Sequence, residues 1–219
     1  MAFPDGRVRP IDVPANPSTD PATYRTAIAT RLADTRLVLD AMDTLAAGGN
    51  PDAEGRGLPE NLGRALDTRR LGMYGHGTGG AIAAEVLRDD KRVSVAVNLE
   101  GPLDYLPEQP GQEAELLPVA REGVERPLLL FGTDGFRGER YDRSWSALLA
   151  HSGNHARRIQ LSDANHWVFT DFGAQVPQLQ AAGLMTAQGR AELVGRIPPE
   201  ISVPAVWNAV TSFFTAHLP

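Results

Sequence analysis

The segment Tyr74–Glu85, which reads YGHGTGGAIAAE, constrains this chain more than any other stretch of its sequence. Its glycines follow a short apolar run and precede helix-forming residues, so it predicts a strand, a tight turn and a helix in direct succession. Two motifs fit the same turn. Gly75, Gly77 and Gly80 spell G-x-G-x-x-G, while Gly75–Gly79 matches G-x-S-x-G with glycine at the serine position.

The first motif is typical of a dinucleotide-binding turn. In such a turn Gly77 would let a pyrophosphate approach the backbone, and the N-terminus of the following helix would stabilise its charge. The motif also requires an acidic residue at the end of the next strand, and Glu100 closes the run VSVAVNLE. One hypothesis is therefore a dinucleotide-dependent oxidoreductase that uses Gly75, Gly77 and Gly80.

The second motif is typical of a turn that presents a nucleophilic serine to a substrate. Its chemistry also needs an orienting acid and a base histidine, in the chain order nucleophile, acid, histidine. Glu100 and Asp134 each follow a predicted strand, and His166 lies in a loop after the next one. Both acids are open candidates at this point.

The rest of the chain predicts the α/β fold class. Four apolar runs alternate with helical patterns, which indicates a mostly parallel sheet with helices on both faces. The predicted strands are Leu71–Tyr74, Val93–Leu99, Leu128–Phe131 and Arg157–Leu161. The predicted helices are one that begins at Pro21 behind an Asp20 cap, followed by 79–88, 140–151 and Pro204–His217.

Two further predictions concern the ends of the chain and its tryptophans. A short extended piece is expected over Phe3–Val13. The last helix has apolar residues at core-like spacing, and Trp207 is among them. Trp145 is also expected in the core.

Composition narrows the function classes. The hydrophobic content of 42% and the charged content of 22% are typical of a globular protein. A net charge of −6 argues against nucleic-acid binding, which needs a basic face. The chain has no cysteine, so thiol nucleophiles and cysteine–metal sites are excluded. We expect neither a transmembrane segment nor a signal peptide, hence a cytoplasmic protein as the chain stands.

The elbow and its downstream segments resemble bacterial relatives of the platelet-activating-factor acetylhydrolases, a family of esterases and lipases. The resemblance rests on GHGTGGAIAAEVLRDDKRVSVAVNLEGPLDY, PLLLFGTDGF and DANHWVFTDF. In that family the elbow is G-H-S-x-G-G, an acid closes the next strand, and the histidine precedes an aromatic-rich segment. The resemblance implies an α/β-hydrolase domain over residues 1–219, no cofactor, and a small-molecule ester or lipid-like ligand. The resemblance also implies that some members of the family are secreted.

The resemblance also implies roles for individual residues. Gly77 takes the nucleophile position, Glu100 the acid position and His166 the base position, with Asp134 as the alternative acid. The backbone N–H of Thr78 is expected in the oxyanion hole. His76 and Trp167 are assigned to the substrate pocket, with simple packing as the alternative for each.

Two departures from the family pattern change what we expect. Gly77 has no side-chain oxygen, so hydrolysis is predicted to be weak or absent, and a noncatalytic ligand-binding or scaffold protein is the alternative. The family's first strands are expected to be missing from the chain. The strand at Leu71–Tyr74 would then leave a sheet edge exposed. A homo-oligomer formed through that edge is one expected consequence.

Overall fold

A computed structural model describes residues 6–8, 19–135 and 137–218 of the chain. The extended piece expected over Phe3–Val13 lies largely outside these residues. The described residues contain a parallel sheet of four strands in the order β1-β2-β3-β4. The strands are β1 Leu71–His76, β2 Val93–Leu99, β3 Leu128–Thr133 and β4 Ala156–Leu161. The predicted parallel sheet is confirmed, and β1 and β3 each run two residues further than predicted.

One helix precedes the first strand, and the others connect the strands or follow the last of them. The first, α1, spans Pro21–Ala46, and the Asp20 carboxylate accepts a hydrogen bond from the Thr23 N–H at 2.7 Å, as a helix cap does. The others are α2 Thr78–Asp89, α3 Pro118–Glu122, α4 Glu139–Ser152, α5 Phe172–Ala181, α6 Ala187–Val194 and α7 Pro199–His217. Short 3₁₀ turns lie at Gly63–Ala65 and His166–Phe169. None of the described helices is both long and apolar enough to cross a bilayer.

The sheet has a hydrophobic core on each face, because successive residues of a strand point to opposite sides. On one face α2 and α4 pack against the sheet and α1 packs against α2, with Ile28, Leu87 and Leu148 fully buried there. On the other face α7 places Phe213 against β2 and β3. This arrangement explains why the strands are apolar throughout, and it confirms helices on both faces.

Two sequence-based predictions about α7 are wrong. The helix begins at Pro199 rather than Pro204, since Pro199 occupies the first position and Pro204 is accommodated inside the helix on an exposed side. Trp207, predicted in the core, is 66% exposed, whereas Phe213 is buried. A step of 100° per residue turns Trp207 away from the face through which Val206 and Val210 contact the sheet. The prediction for Trp145 is confirmed, because that side chain is buried.

Strand β1 is an outer strand of the described sheet, with β2 as its neighbour there. Its Tyr74 side chain is largely exposed and makes an edge contact with Phe214 of α7, with ring centroids 6.2 Å apart. The carboxyl ends of all four strands point the same way, so the turns that follow β1, β2 and β3 lie close together at one edge of the sheet.

Candidate functional site

The turn between β1 and α2 is built around Gly77. Its backbone has φ +56° and ψ −128°, a conformation that glycine adopts far more readily than other residues. The Gly77 N–H donates to the Leu99 carbonyl at 2.9 Å, and its own carbonyl accepts from the N–H groups of Gly80 and Ala81. The strand therefore passes directly into the helix through one residue, which lies next to the end of β2.

The neighbouring glycines are required by close packing. A side chain at Gly75 would overlap the backbone of Gly79, and one at Gly80 would overlap the side chain of Asn98. The two glycines thus let β1 approach α2, and let α2 approach β2, more closely than residues with a side chain would permit. Both glycine motifs considered from the sequence need this close approach, which is why the glycine spacing alone does not separate them.

Glu100 lies at the end of β2, and the residue is 4% exposed. Its Oε1 accepts hydrogen bonds from the Thr133 backbone N–H at 2.5 Å and the Thr133 hydroxyl at 2.7 Å. Its Oε2 lies 2.9 Å from Nδ1 of His166. A buried carboxylate with both oxygens engaged in this way is fixed in orientation. The acid that a dinucleotide site would need for the ribose is therefore already hydrogen-bonded within the protein.

A bracket formed by Asn98, Gly101 and Trp145 holds Glu100 in place. The Asn98 Oδ1 accepts from the Gly101 N–H at 2.6 Å, and the Asn98 Nδ2 donates to the Gly101 carbonyl at 3.0 Å. The indole N–H of Trp145 donates to the same carbonyl at 2.8 Å. Glu100 itself has φ +58°, the left-handed region that is uncommon for its type. No sequence motif pointed to Thr133 or to this bracket, although the NLEG segment contains the Asn and Gly of the turn.

His166 begins the 3₁₀ turn after β4, and its N–H donates to the Asn165 side chain at 2.8 Å. A Cβ atom built on Gly77 would lie 3.6 Å from Nε2 of His166 and 3.7 Å from its Cε1. Among the residues that the structure describes, and leaving out the two neighbours of Gly77, no other atom lies within 4 Å of that position. The structure thus brings Gly77, Glu100 and His166 together, with one ring nitrogen of His166 facing Gly77 and the other contacting the Glu100 carboxylate.

Asp134 occupies a different place, at the exposed end of β3. Its two carboxylate oxygens accept hydrogen bonds from the backbone N–H groups of Asp163 at 2.9 Å and Ala164 at 3.1 Å. Partial burial acts to raise the pKa of Asp134, but these backbone hydrogen bonds hold it below its usual value. Asp134 therefore ties β3 to the loop that carries His166, whose Nδ1 is paired with Glu100.

The residues assigned to a substrate pocket surround His166. The His76 ring packs 4.2 Å from the His166 ring, and its Nε2 donates to the His166 carbonyl at 3.0 Å. Burial, and then the proximity of His166, lower the pKa of His76, which favours its neutral form. Trp167 is 41% exposed, with its ring 5.4 Å from that of His166. Phe172 lies beyond it, with ring centroids 5.8 Å apart.

Thr78 is the first residue of α2, directly after Gly77. The N–H groups in the first turn of a helix point out of its N-terminus, so the Thr78 N–H is directed toward the space in front of the turn. The Thr78 side chain faces α1. Burial raises the pKa of Tyr24, and a hydrogen bond with the Thr78 side chain acts in the opposite direction. Thr78 therefore lies close to Tyr24, on the α1 side of the turn.

Comparison with solved structures gives a clear result for the fold. The structure is similar to that of a ferulic acid esterase from Streptomyces cinnamoneus, with 26% identity and a TM-score of 0.69. The match covers all of this chain and 55% of the esterase. The chain thus spans about half the length of that protein. With this neighbour and the parallel sheet, the chain has the α/β-hydrolase fold predicted from its sequence.

Other solved structures match less closely and carry no further argument. A dienelactone hydrolase-like promiscuous phosphotriesterase from metagenomic libraries is 15% identical over 70% of this chain and 55% of its own, with a TM-score of 0.46. A Pyrococcus furiosus esterase is 15% identical over 73% of this chain and 58% of its own, with a TM-score of 0.44. No protein-family model matches the chain, and no curated protein does.

Proposed function

We propose that this protein is a relative of carboxylic-ester hydrolases of the acetylhydrolase and lipase type, and that its site binds a small ester or lipid-like ligand. Hydrolysis is weak or absent because Gly77 occupies the nucleophile position. The observation that carries the proposal is the distance of 3.6 Å between a Cβ built on Gly77 and Nε2 of His166. A serine there would place its hydroxyl within hydrogen-bonding reach of the histidine.

Each site residue has a role in this proposal. His166 is the general base, and Glu100 orients it through Nδ1. The Thr78 N–H stabilises negative charge on the carbonyl oxygen of the ester. His76 and Trp167 line the ligand pocket beside His166. Loss of the serine from such a set lowers kcat by a factor of about 10⁶, which is why we expect little turnover.

The substrate class follows from the same surroundings. Trp167 and Phe172 offer exposed aromatic surface beside the base, against which an acyl chain or an aromatic ring can pack. The similarity to a ferulic acid esterase supports including esters of aromatic acids among the ligands to be tested. A noncatalytic ligand-binding or scaffold role would use the same pocket without any nucleophile.

The dinucleotide hypothesis has less support than the ester site. It needs Glu100 to bind a ribose, yet both oxygens of that carboxylate are engaged by Thr133 and His166. It also gives no role to His166, which faces the glycine turn. We therefore do not propose a redox cofactor for this chain.

Substitution of Gly77 by serine tests the proposal. We expect Gly77→Ser to hydrolyse p-nitrophenyl esters far faster than the native protein and to be labelled by a fluorophosphonate at one residue. The matched control is Gly79→Ser, which adds a hydroxyl two residues away, where a built Cβ meets no atom of the other described residues within 4 Å. That control is expected to gain neither property. A folded Gly77→Ser protein that shows no hydrolysis and no labelling would contradict the proposal.

Two predictions from the sequence remain to be tested. A homo-oligomer formed through the outer edge of β1 predicts a mass in solution above 23.6 kDa, the mass of one chain. A cytoplasmic location is predicted from the sequence as it stands. Light scattering tests the first of these and cell fractionation tests the second.

A further inference from the structure

We propose that Thr133 is a positioning residue of this site. Its hydroxyl fixes one oxygen of the Glu100 carboxylate, so that the other oxygen stays on Nδ1 of His166. The inference rests on the proposed function, because it concerns the base of the same ester site. It goes beyond that function by assigning a role in the orientation of the base to a fully buried residue of β3.

Glu100 is attached to β3 by its backbone and by its side chain. Its N–H donates to the Phe131 carbonyl at 3.0 Å. Its Oε1 accepts from the Thr133 N–H at 2.5 Å and from the Thr133 hydroxyl at 2.7 Å. A Cβ built on Gly132 would lie 3.6 Å from the same oxygen. The side chain of Glu100 therefore rests against the last residues of β3 along its whole length.

The hydroxyl of Thr133 has one direction in which it can act. An ionised carboxylate accepts hydrogen bonds and donates none, so the hydroxyl is the donor. Thr133 is 0% exposed, and a β-branched side chain is stiff at χ1, so this hydroxyl does not turn away to solvent. The last torsion of a glutamate is broad by itself. Two donors that converge on Oε1 restrict that torsion and leave Oε2 for His166.

The same strand end also holds the partner of the carboxylate. Asp134 follows Thr133 and accepts hydrogen bonds from two backbone N–H groups of the loop that leads to His166, at 2.9 and 3.1 Å. Consecutive residues of β3 thus fix the acid on one side and the loop of the histidine on the other. The distance of 2.9 Å between Glu100 Oε2 and His166 Nδ1 is set from this one place.

Loss of the hydroxyl has a defined consequence for the base. Oε1 of Glu100 would keep only the backbone N–H of Thr133, so the carboxylate could turn and its contact with Nδ1 of His166 would lengthen. The Nδ1 proton would then be held less firmly, and the neutral ring would spend part of its time as the other tautomer. A ring with its proton on Nε2 does not accept a proton there, so the base would act less often.

The first measurement follows the His166 ring in the native protein by NMR with nitrogen-labelled histidine, at a pH at which the ring is neutral. Thr133→Val removes the hydroxyl at nearly constant shape, and Thr133→Ser keeps it. We expect the native ring to carry its proton on Nδ1. In Thr133→Val that proton should exchange with water about tenfold faster, because a hydrogen bond to a charged group has been lost. Thr133→Ser should behave like the native protein.

The second measurement uses the same substitutions in the Gly77→Ser background. We expect Thr133→Val to lower kcat for p-nitrophenyl esters by about tenfold, with KM nearly unchanged, because the base is disturbed and the ligand pocket is not. Thr133→Ser should restore kcat. Thr133→Ala is a second variant without the hydroxyl, and it carries the test if Thr133→Val does not fold.

The outcomes separate this inference from the proposed function. Unchanged proton exchange and tautomer in the hydroxyl-free variants would overturn the role of Thr133, and so would a loss of kcat that Thr133→Ser shares in full, since packing alone would explain it. If Gly77→Ser is inactive, the proposed function fails, and the NMR comparison in the native protein still decides the role of Thr133. Faster exchange in Thr133→Val that Thr133→Ser reverses supports the inference.

Discussion

The Oε2 atom of Glu100 lies 2.9 Å from Nδ1 of His166, although the two residues are 66 positions apart in the chain. The contact joins the end of β2 to the loop after β4, across the end of β3. Thr133 of β3 completes it by donating two hydrogen bonds to the other carboxylate oxygen. The parallel sheet therefore assembles an oriented histidine, and it does so without any contribution from Gly77.

Glu100→Gln in the Gly77→Ser background tests the orienting role. The glutamine amide would present either its N–H or a weaker acceptor to Nδ1, so the ring would lose its fixed tautomer. We expect kcat/KM for p-nitrophenyl esters to fall by about 10⁴, as when the acid of a catalytic triad becomes an amide. Glu60→Gln, at an exposed position in the loop before β1, serves as the control. A fall of less than tenfold would contradict the assignment of Glu100.

Asp134→Asn tests the tie between β3 and the His166 loop. An amide can accept only one of the two backbone hydrogen bonds, so we expect a loss of about 0.5–1.5 kcal/mol in the free energy of unfolding. Amide exchange at Asp163 and Ala164 should become faster. The stability that the ionised Asp134 carboxylate contributes to the native protein is fully present above the ordinary pKa of 3.8. It is lost as pH falls through the lowered pKa that Asp134 has in the folded protein. Asp171→Asn, exposed and without a side-chain cap bond, is the control; unchanged exchange in Asp134→Asn would refute the tie.

His76→Gln tests the effect of the lowered pKa of His76 on stability. The unfolded chain binds a proton near the ordinary pKa of 6.5, and the folded protein does so only at lower pH. The native protein should therefore lose stability as pH falls below about 6.5, and the loss is complete once pH has passed through the folded value. Gln can still donate to the His166 carbonyl but does not titrate. We expect melting temperatures at pH 5 and pH 7 to differ less in His76→Gln; an equal difference would show that His76 is not responsible.

A pair of substitutions in α7 tests which face of the helix is buried. Phe213→Ala removes a buried ring from the core and should lower the free energy of unfolding by about 3–5 kcal/mol. Trp207→Ala removes a larger ring that is mostly exposed, and should change it by no more than about 0.5 kcal/mol. Chemical denaturation measures both. Equal losses in the two variants would mean that the Trp207 face is covered in solution.

The sheet and the Glu100–His166 contact could be predicted from the sequence for a physical reason. Buried parallel strands are apolar on both faces and stand out as runs, and their carboxyl ends meet at one edge. An acid at the end of β2 and a histidine after β4 are therefore brought to the same edge by the fold itself. The same topology brings Asp134 to this edge, so the choice of Glu100 as the partner of His166 depended on the family resemblance as well.

Other features could not be predicted, because they depend on packing details that the pattern of residue types in the sequence does not specify. The spacing of Gly75 and Gly80 follows from close packing against Gly79 and Asn98, a demand that dinucleotide turns share. The start of α7 was predicted at Pro204 but lies at Pro199, and the pattern does not separate them because both have the fixed φ that helix starts favour. The burial of Trp207 was misjudged for a related reason. Core residues lie close to Trp207 in the sequence, but a step of one residue around the helix is enough to turn its side chain from the core to solvent.

The left-handed backbone conformation of Glu100 limits which substitutions position 100 can accept. A φ of +58° at a residue other than glycine costs on the order of 1–2 kcal/mol, and asparagine or glycine would relieve part of it. Either replacement would also remove the oxygen that accepts both Thr133 hydrogen bonds, so the relief of strain at position 100 is offset by two buried donors left without that acceptor. One side chain thus links the strained backbone, the tie to β3 and the oriented imidazole, and a selection for a relaxed backbone there would select against the other two.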